Sequence, residues 1–523
     1  MLRITIKLPP EQTDLRKAVA GKLHVPESAF TLTLRKRSVD ARKAPVFVYT
    51  ADLQFKDEKT EAACLRRFGA FLVRAENPEP YRFPAPSHFP KQRPVVVGFG
   101  PAGIFCALML ARSGFAPIVL ERGGDVDERT AKVEAFCKSG TLDPECNVQF
   151  GEGGAGTFSD GKLNSLVKEK SYRGTFVLEQ FVKAGAPEEI LWSNKPHVGT
   201  DILRTVIKAM REEILSLGGE VRFHTKVTGF CTENESITGV RTENGGTIDT
   251  DAVVLAVGHS ARDVFAFLQA GGVPMEKKPF SVGVRIEHKQ QMINASQYGE
   301  NAKGLPPADY KLVCHTENGR TVYTFCMCPG GVVMAAASDE DGVVTNGMSF
   351  HARDGENANA ALLCEVRPED LEDDLLSGVR FQKELEKAAF RLGGGNPKAP
   401  AQTVGDYLAH QKTTAFGTVH PTYPRGVTGA DLHELLPGFV NEAFEDALPK
   451  LGRMLAGYDS PDAVLTGVES RTTSPVRVLR DETLQSDLRG LYPCGEGAGY
   501  AGGILSAAID GIKVAEQIVS KMI

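Results

Sequence analysis

The chain has 523 residues and a net charge of −6, and hydrophobic residues make up 42% of it. These ordinary globular values exclude a fibrous or disordered chain, and the negative charge disfavours nucleic acid as a partner. The sequence contains neither an apolar run of 18 residues nor a CxxC pair. We therefore expect a cytoplasmic protein without membrane segments or a disulfide framework.

Residues 1–91 are predicted to form a small basic α+β domain and its proline-rich linker, with 17 Lys and Arg against 10 Asp and Glu. Apolar alternation predicts strands over 2–8, 29–37 and 45–55, and helical spacing predicts a helix over 11–23. The domain contains a basic cluster of Arg35, Lys36, Arg37, Arg42 and Lys43. Such a cluster is either a patch for an anionic ligand or a solvated hairpin.

The next segment carries a glycine motif in a specific structural context. A β-branched run at 94–97 leads into GFGPAG, in which Gly98, Gly100 and Gly103 occupy GxGxxG positions. A helical run follows, and a second apolar strand ends at Glu121. In a dinucleotide-binding βαβ unit the glycines allow a tight turn, close approach of a pyrophosphate and helix packing, and the acid binds a ribose. This order of strand, glycine motif, helix and second strand ending in an acidic residue predicts a dinucleotide-binding site.

Two further glycine-rich segments are candidates for the same ligand. FGEGGAGTFSDGKLN at 150–164 follows the βαβ unit, and CGEGAGYAGGI at 494–504 leads into a predicted helix from Ile504. Glycine-rich backbone at a helix N-terminus offers unpaired N–H groups. Cys326 and Cys328 form either a redox or metal pair or two small residues on one strand face. No second ligand pair of the kind zinc needs is present, so we predict no metal site.

Together these motifs resemble FAD-dependent oxidoreductases of the glutathione-reductase structural superfamily. FGEGGAGTFSDGKL, SVGVRIEH, FCMCPGG and GVESRTTSPVR further resemble bacterial uncharacterised FAD-dependent dehydrogenases, which also carry a small basic N-terminal domain. The resemblance implies an α/β fold with a discontinuous Rossmann-type FAD-binding domain at 92–270 and 466–523. A mixed α/β substrate or cap domain would be inserted at 271–465. The second GxGxxG and the CxxxxC pair of glutathione reductases are both missing.

The resemblance also implies contacts with non-covalently bound FAD. The residues implied for the pyrophosphate are Gly98, Gly100, Pro101, Ala102 and Gly103, and those for the adenosine are Glu121, Arg122 and Val227. Beside the isoalloxazine it implies Gly156, Thr157 and Lys162. Along the rest of the flavin it implies Gly258, Gly495, Glu496, Gly502, Gly503 and Ile504. NAD(P)H would bind only transiently over the flavin, as an electron donor.

The predicted catalytic residues are His259, Arg285, His288 and Arg353. His259 directly follows Gly258, and its alternative role is a turn contact. In SVGVRIEH, alternation places Arg285 on the opposite strand face from His288, so an acid–base set and an ordinary ion pair are both open. Arg353 is a candidate carboxylate clamp. Arg471 and Arg477 are candidates for binding an anionic substrate or the flavin.

Two functions from different classes follow. The first is an oxidoreductase that transfers a hydride between FAD and a small organic substrate under the cap domain. The alternative is a flavin electron-transfer or redox-sensing protein whose basic N-terminal domain docks an acidic protein donor. A third interpretation, an RNA-binding adaptor, lacks the aromatic platform that single-stranded nucleic acid requires. The substrate and the oligomeric state are left open.

Overall fold

A computed structural model describes residues 1–76, 79–86, 89–164, 171–299 and 303–521. The amino-terminal domain contains β1 (Leu2–Leu8), α1 (Leu15–Leu23), β2 (Phe30–Asp40), β3 (Val46–Phe55), α2 (Glu58–Phe68) and β4 (Leu72–Arg74). Parts of the predicted linker, at 77–78 and 87–88, lie outside the described residues. In the described part of the chain, no helix has the length and apolarity needed to cross a membrane.

The middle of the chain supplies most of a parallel-sheet domain. Its elements are β5 (Val95–Val97), α3 (Pro101–Arg112), β6 (Ile118–Leu120), α4 (Val126–Ser139), α5 (Arg173–Lys183), α6 (Thr200–Ser216), β7 (Glu220–Arg222), β8 (Val227–Glu233), β9 (Ser236–Thr242), β10 (Thr247–Asp249), β11 (Val253–Leu255) and α7 (Arg262–Ala270).

The following elements form a mixed α/β domain, except for the last two, β23 and α12, which return to the parallel-sheet domain. They are β12 (Met275–Lys277), β13 (Phe280–Lys289), α8 (Gln290–Tyr298), β14 (Val313–His315), β15 (Thr321–Cys328), β16 (Val332–Ala335), β17 (Thr345–Met348), β18 (Asn357–Val366), α9 (Ser377–Leu392), β19 (Ala399–Thr403), α10 (Val404–Leu408), β20 (Val427–Gly429), α11 (Gly438–Met454), β21 (Val464–Glu469), β22 (Val476–Val478), β23 (Leu491–Pro493) and α12 (Ile504–Lys521).

The amino-terminal domain is a four-stranded antiparallel sheet in the order β2–β3–β1–β4. Alternate apolar residues of β1, among them Leu2 and Ile4, are fully buried against the helices, as the period-two pattern predicts. Helix α1 begins at Leu15 and not at the predicted residue 11. Asp14 ends the preceding turn because its carboxylate accepts a hydrogen bond from the Lys17 N–H and caps the helix.

A five-stranded parallel sheet, β23–β11–β5–β6–β7, forms the second domain. The chain leaves this domain after α7 and returns at β23, and α12 then packs on α3. Gly98 follows β5 with a φ of +97°, which favours glycine. Gly103 lets α3 lie close to β5, because a Cβ on Gly103 would overlap the carbonyl oxygen of Gly98. The glycine motif therefore sets the turn from β5 into α3.

The third domain is built on a seven-stranded sheet in the order β14–β15–β18–β13–β21–β19–β20. Strands β13 and β18 pair along their whole length, and alternate apolar residues of both strands belong to the largest hydrophobic core among the described residues. The predicted boundary at 465 falls inside β21, which pairs with β13 through Glu469. The cap domain therefore extends beyond 465, because β21 belongs to its sheet. We call this third domain the cap.

Candidate functional site

A large cleft opens at the carboxyl ends of β5, β6 and β11, where the cap faces the parallel sheet. It encloses about 1560 Å³, its open mouth included. In open parallel sheets, ligands bind at this edge because the strand-to-helix loops converge there. One wall consists of the glycine-rich loops, and the other consists of cap residues on β15, β17 and β21.

Most of the residues predicted to contact a cofactor line this cleft. They are Gly98, Gly100, Pro101, Ala102, Glu121, Arg122, Gly156, Lys162, Val227, Gly258, Glu496, Gly502, Gly503 and Ile504. Three predicted residues, Gly103, Thr157 and Gly495, do not line it. Gly103 packs on Gly98, the Thr157 carbonyl accepts the Thr200 hydroxyl at 2.7 Å, and the Gly495 N–H donates to Asp510 at 2.8 Å. These three residues therefore support the residues that line the cleft and do not face the cleft themselves.

The backbone leaves room in the cleft for a ligand. Apart from its chain neighbours, no described residue has an atom within 4 Å of the position that a Cβ would take on Gly258, Gly502 or Gly503. Helix α3 begins at Pro101, and in the described part of the chain no side chain caps its first turn. Its N-terminus therefore offers free N–H groups and a positive dipole to an anionic ligand, such as a pyrophosphate.

The Glu121 carboxylate connects the glycine-rich loops by accepting hydrogen bonds from their backbone. One carboxylate oxygen accepts the N–H groups of Gly123 and Gly151, each at 3.0 Å, and the other accepts the N–H of Phe99 at 2.9 Å. The predicted ribose contact therefore has to share a carboxylate that already holds three backbone groups. Arg122, beside it, stacks on the Phe150 ring at 4.4 Å.

His259 and Glu496 lie together on the floor of the cleft. The Nδ1 atom of His259 is 3.7 Å from a carboxylate oxygen of Glu496. Burial, with the nearby Arg471 and Arg262 charges, lowers the pKa of His259 to about 3, so its imidazole is neutral. Burial raises the pKa of Glu496 to about 7. Within the described part of the chain, the buried Nε2 atom of His259 has no hydrogen-bond partner. The pair therefore offers polar atoms to a ligand.

Arg285 and His288, predicted as catalytic residues, do not line the cleft. The guanidinium of Arg285 is fully buried and forms a bidentate pair with Glu469, at 2.7 and 2.8 Å. It also donates to the Cys326 carbonyl at 2.9 Å and to the Asn346 side chain at 2.9 Å. Because Glu469, Cys326 and Asn346 do line the cleft, Arg285 is a positioning residue.

His288 lies deeper in the cap. Its Nε2 atom is 2.7 Å from the Tyr458 carbonyl, and burial lowers its pKa to about 4. Alternation along β13 correctly separates it from Arg285, but the side chains on both faces of this strand are buried. His288 therefore has no access to a ligand in the cleft.

Arg353 also forms an ion pair with a residue of the chain itself. Its guanidinium pairs with Asp160, through Nε at 2.9 Å and through Nη2, and so joins the cap to the glycine-rich loop. Asp160 lines the cleft, and the nearby Arg353 and Lys162 charges lower its pKa. Since the Arg353 charge is already paired, the predicted carboxylate clamp for a substrate does not form.

Arg471 and Arg477 have partners inside the chain as well. Arg471 lines the cleft but pairs with the buried Glu386 at 2.8 Å, and Arg262 pairs with the same carboxylate at 2.6 Å. Arg477 pairs with Glu276 at 3.0 Å. The Glu386 carboxylate on α9 thus joins Arg471 to Arg262 on α7, whereas Arg477 pairs across β12 and β22.

The cap wall contains residues that the sequence did not single out, namely Phe325, Asn346, Glu469 and Thr472. Glu469 and Thr472 belong to the segment GVESRTTSPVR, which the sequence analysis used for the family resemblance without assigning a function to either residue. Cys326 and Cys328 both line the cleft. A bulge in β15 between Phe325 and Cys328 breaks the alternation, so Cys326 is exposed while Cys328 is buried. The interpretation of two residues on one regular strand face was therefore wrong.

Comparisons with known proteins agree with this geometry. A family model described as "FAD-dependent protein, C-terminal domain-like" matches residues 279–472, and a domain of unknown function, DUF8436, matches residues 1–54. An uncharacterised protein from Clostridium beijerinckii is 48% identical over 524 residues, which cover 99% of this chain and 98% of the relative.

Two solved structures are distantly similar. L-proline dehydrogenase from P. horikoshii has 14% identity and a TM-score of 0.34, covering 83% of this chain and 95% of that chain. The glycerol-3-phosphate dehydrogenase from Bacillus halodurans, complexed with FAD, has 14% identity and a TM-score of 0.35, covering 82% and 65%. At such low scores these likenesses say nothing about the activity of this chain.

The glycine-lined cleft on a parallel sheet and the match of residues 279–472 to the C-terminal domain of FAD-dependent proteins make this chain similar to the FAD-dependent proteins as a class. Within that class, the chain belongs to the family of the uncharacterised Clostridium beijerinckii protein.

Proposed function

We propose that this protein is an FAD-dependent oxidoreductase that transfers a hydride between non-covalently bound FAD and a small organic substrate held under the cap. The observation that carries the proposal is a single cleft lined on one side by the dinucleotide motif and on the other by cap residues. A flavin supplies the hydride chemistry, while the protein orients the reactants and excludes water. A glutathione-reductase-type relationship is part of the proposal.

The chain's residues fit the parts of FAD. Gly98, Gly100 and the start of α3 would hold the pyrophosphate, and Glu121 would meet the adenosine ribose. The open backbone of Gly502 and Gly503, at the start of α12, would face the flavin's pyrimidine end. The positive end of the α12 dipole would stabilise negative charge there.

The cap would close the reacting side of the cleft. Phe325 contributes an apolar surface, while Asn346 and Glu469 contribute polar groups whose orientation Arg285 fixes. Neutral His259 offers its unpartnered Nε2 atom, and Glu496 is able to take or release a proton near neutral pH. These residues replace the catalytic set that was predicted from sequence, apart from His259.

The basic cluster of the amino-terminal domain is largely used inside the chain. Arg35 pairs with Asp52 at 2.7 Å, and Arg42 pairs with Asp40 at 2.9 Å. The Arg37 guanidinium lies over the Trp192 ring at 4.5 Å, and the Arg37 backbone N–H donates to the Trp192 carbonyl at 2.7 Å. The cluster thus has fewer free cations for an acidic protein donor than its sequence indicates, so we propose NAD(P)H as the donor.

The donor is tested by anaerobic titration of the purified protein with NADH and NADPH. We expect one of them to bleach the flavin absorbance, and photoreduction of the same sample serves as the positive control. A flavin that photoreduction bleaches but neither nicotinamide does would contradict direct hydride transfer from NAD(P)H. It would favour a protein donor, or a substrate that itself reduces the flavin.

Glu496 is expected to make the reduction potential of the bound flavin depend on pH around its pKa of about 7. Below this pH the carboxyl is neutral, and above it a negative charge disfavours the reduced, anionic flavin. The potential should therefore fall more steeply with rising pH in the wild type than in Glu496→Gln. The measurement is the potential one unit below and one unit above that pKa.

Glu152→Gln is the matched control, because burial also raises the pKa of Glu152 to about 7 although this residue does not line the cleft. This control should keep the wild-type slope. Equal slopes in the wild type and Glu496→Gln would show that Glu496 does not face the flavin.

A further inference from the structure

A second cluster of polar side chains lies on the cap, outside the cleft. His410 follows α10, His433 lies in the turn before α11, and Glu445 lies on α11. The Nε2 atom of His433 is 2.9 Å from a carboxylate oxygen of Glu445, and the Nε2 atom of His410 is 3.6 Å from the same oxygen. One ligand atom from each residue lies within 4.8 Å of the others.

The short distance between His433 and Glu445 requires a proton or a metal ion between the two atoms. A deprotonated Nε2 and a carboxylate oxygen are both acceptors, so either a proton or a metal ion lies between them. A proton accounts for this pair, whereas a metal ion would also use His410, whose Nε2 atom faces the same oxygen. A tetrahedral ion with bonds of about 2.0–2.1 Å would set its ligand atoms about 3.3 Å apart, close to both observed distances.

The surroundings of His433 independently favour a metal ligand. Its Nδ1 atom is 2.8 Å from Asp431, whose carboxylate also accepts the His433 backbone N–H at 3.1 Å. Such a carboxylate fixes the tautomer in which Nε2 carries the free lone pair, as is usual for metal-bound histidines. The ring is held by stacking on Tyr407 at 4.4 Å and on His410 at 4.5 Å.

We propose that His410, His433 and Glu445 form a surface site for a divalent transition-metal ion of the zinc type. Two imidazoles and one carboxylate suit zinc or cobalt better than calcium or magnesium, which prefer oxygen ligands alone. Exposed His410 leaves the fourth position open to water. None of the three ligands lines the cleft, so the ion joins the loop after α10 to α11 and stabilises the cap.

The test uses the full-length protein, stripped of metal with a chelator and then titrated with zinc by calorimetry. We expect one ion per chain and a higher melting temperature with zinc. His410→Ala and Glu445→Gln should each weaken binding by about 10- to 100-fold. Bound cobalt should show the intense bands of a tetrahedral site at wavelengths longer than the flavin absorbance.

His224→Ala is the matched control. His224 is also exposed and lies 2.8 Å from Glu128, but that pair has no third ligand among the described residues. The control should bind zinc like the wild type. Absence of binding at millimolar zinc, or equal binding by the wild type, His410→Ala and Glu445→Gln, would overturn the proposal. The cluster would then be a protonated His433–Glu445 pair.

Discussion

The Gly103→Ala variant is expected to lose its cofactor and to purify without yellow colour. A Cβ on Gly103 would overlap the carbonyl oxygen of Gly98, a backbone atom in the turn that faces the cleft. No side-chain movement relieves this overlap, so α3 must shift away from β5 and take its free N–H groups with it. We expect FAD affinity to fall at least about 100-fold, which corresponds to about 2.7 kcal/mol.

The Gly174→Ala variant is a matched control for this prediction. Gly174 also lies in a helix, α5, but the nearest atom to its added Cβ is 3.7 Å away, an ordinary contact. This variant should retain FAD and gain up to about 1 kcal/mol of stability, because alanine favours the helix. Cofactor content is measured as the FAD released by denaturation, per mole of chain. Full FAD content in Gly103→Ala would show that the glycine motif does not hold the cofactor.

The Arg285→Met variant is expected to lose about 3–5 kcal/mol from the free energy of unfolding. The change removes both hydrogen bonds to Glu469 and leaves that buried carboxylate without its cation. It also frees the Asn346 side chain in the cleft wall. The loss is measured by urea unfolding. By contrast, Arg380→Met removes a half-exposed arginine from its surface pairs and should cost at most about 1 kcal/mol.

A double variant separates ion pairing from a catalytic role for Arg285. Replacing the pair by Arg285→Met with Glu469→Leu removes both buried charges and should recover part of the lost stability. A catalytic arginine would instead leave the unfolding free energy of Arg285→Met near the wild-type value while turnover fell. That result would contradict the positioning role inferred from its buried bonds.

The cofactor side of the cleft was predictable from sequence because its requirements are local. Gly98 and Gly103 serve a turn and a helix contact within six residues, and the order of strand, glycines and helix is visible in the chain. The same holds for Gly502 and Gly503, which directly precede α12. The fold class was predictable for the same reason.

The cap wall of the cleft was not predictable in the same way, because its ion pairs join distant parts of the chain. Arg285 meets Glu469 across 184 residues, and Arg353 meets Asp160 across 193 residues. From sequence, an acid–base role and an ordinary ion pair were therefore both open for Arg285, and Arg353 could not be told from a free carboxylate-binding cation. The bulge that exposes Cys326 is set by its pairing with β18, which local alternation does not encode.

We propose that FAD occupies the cleft between the parallel sheet and the cap. The most direct measurement is the flavin content of the purified protein, determined by chromatography of the supernatant after denaturation. We expect about one FAD per chain in the supernatant and a colourless pellet. Protein that contains no flavin and fails to bind added FAD would contradict the claim, and colour retained in the pellet would contradict non-covalent binding.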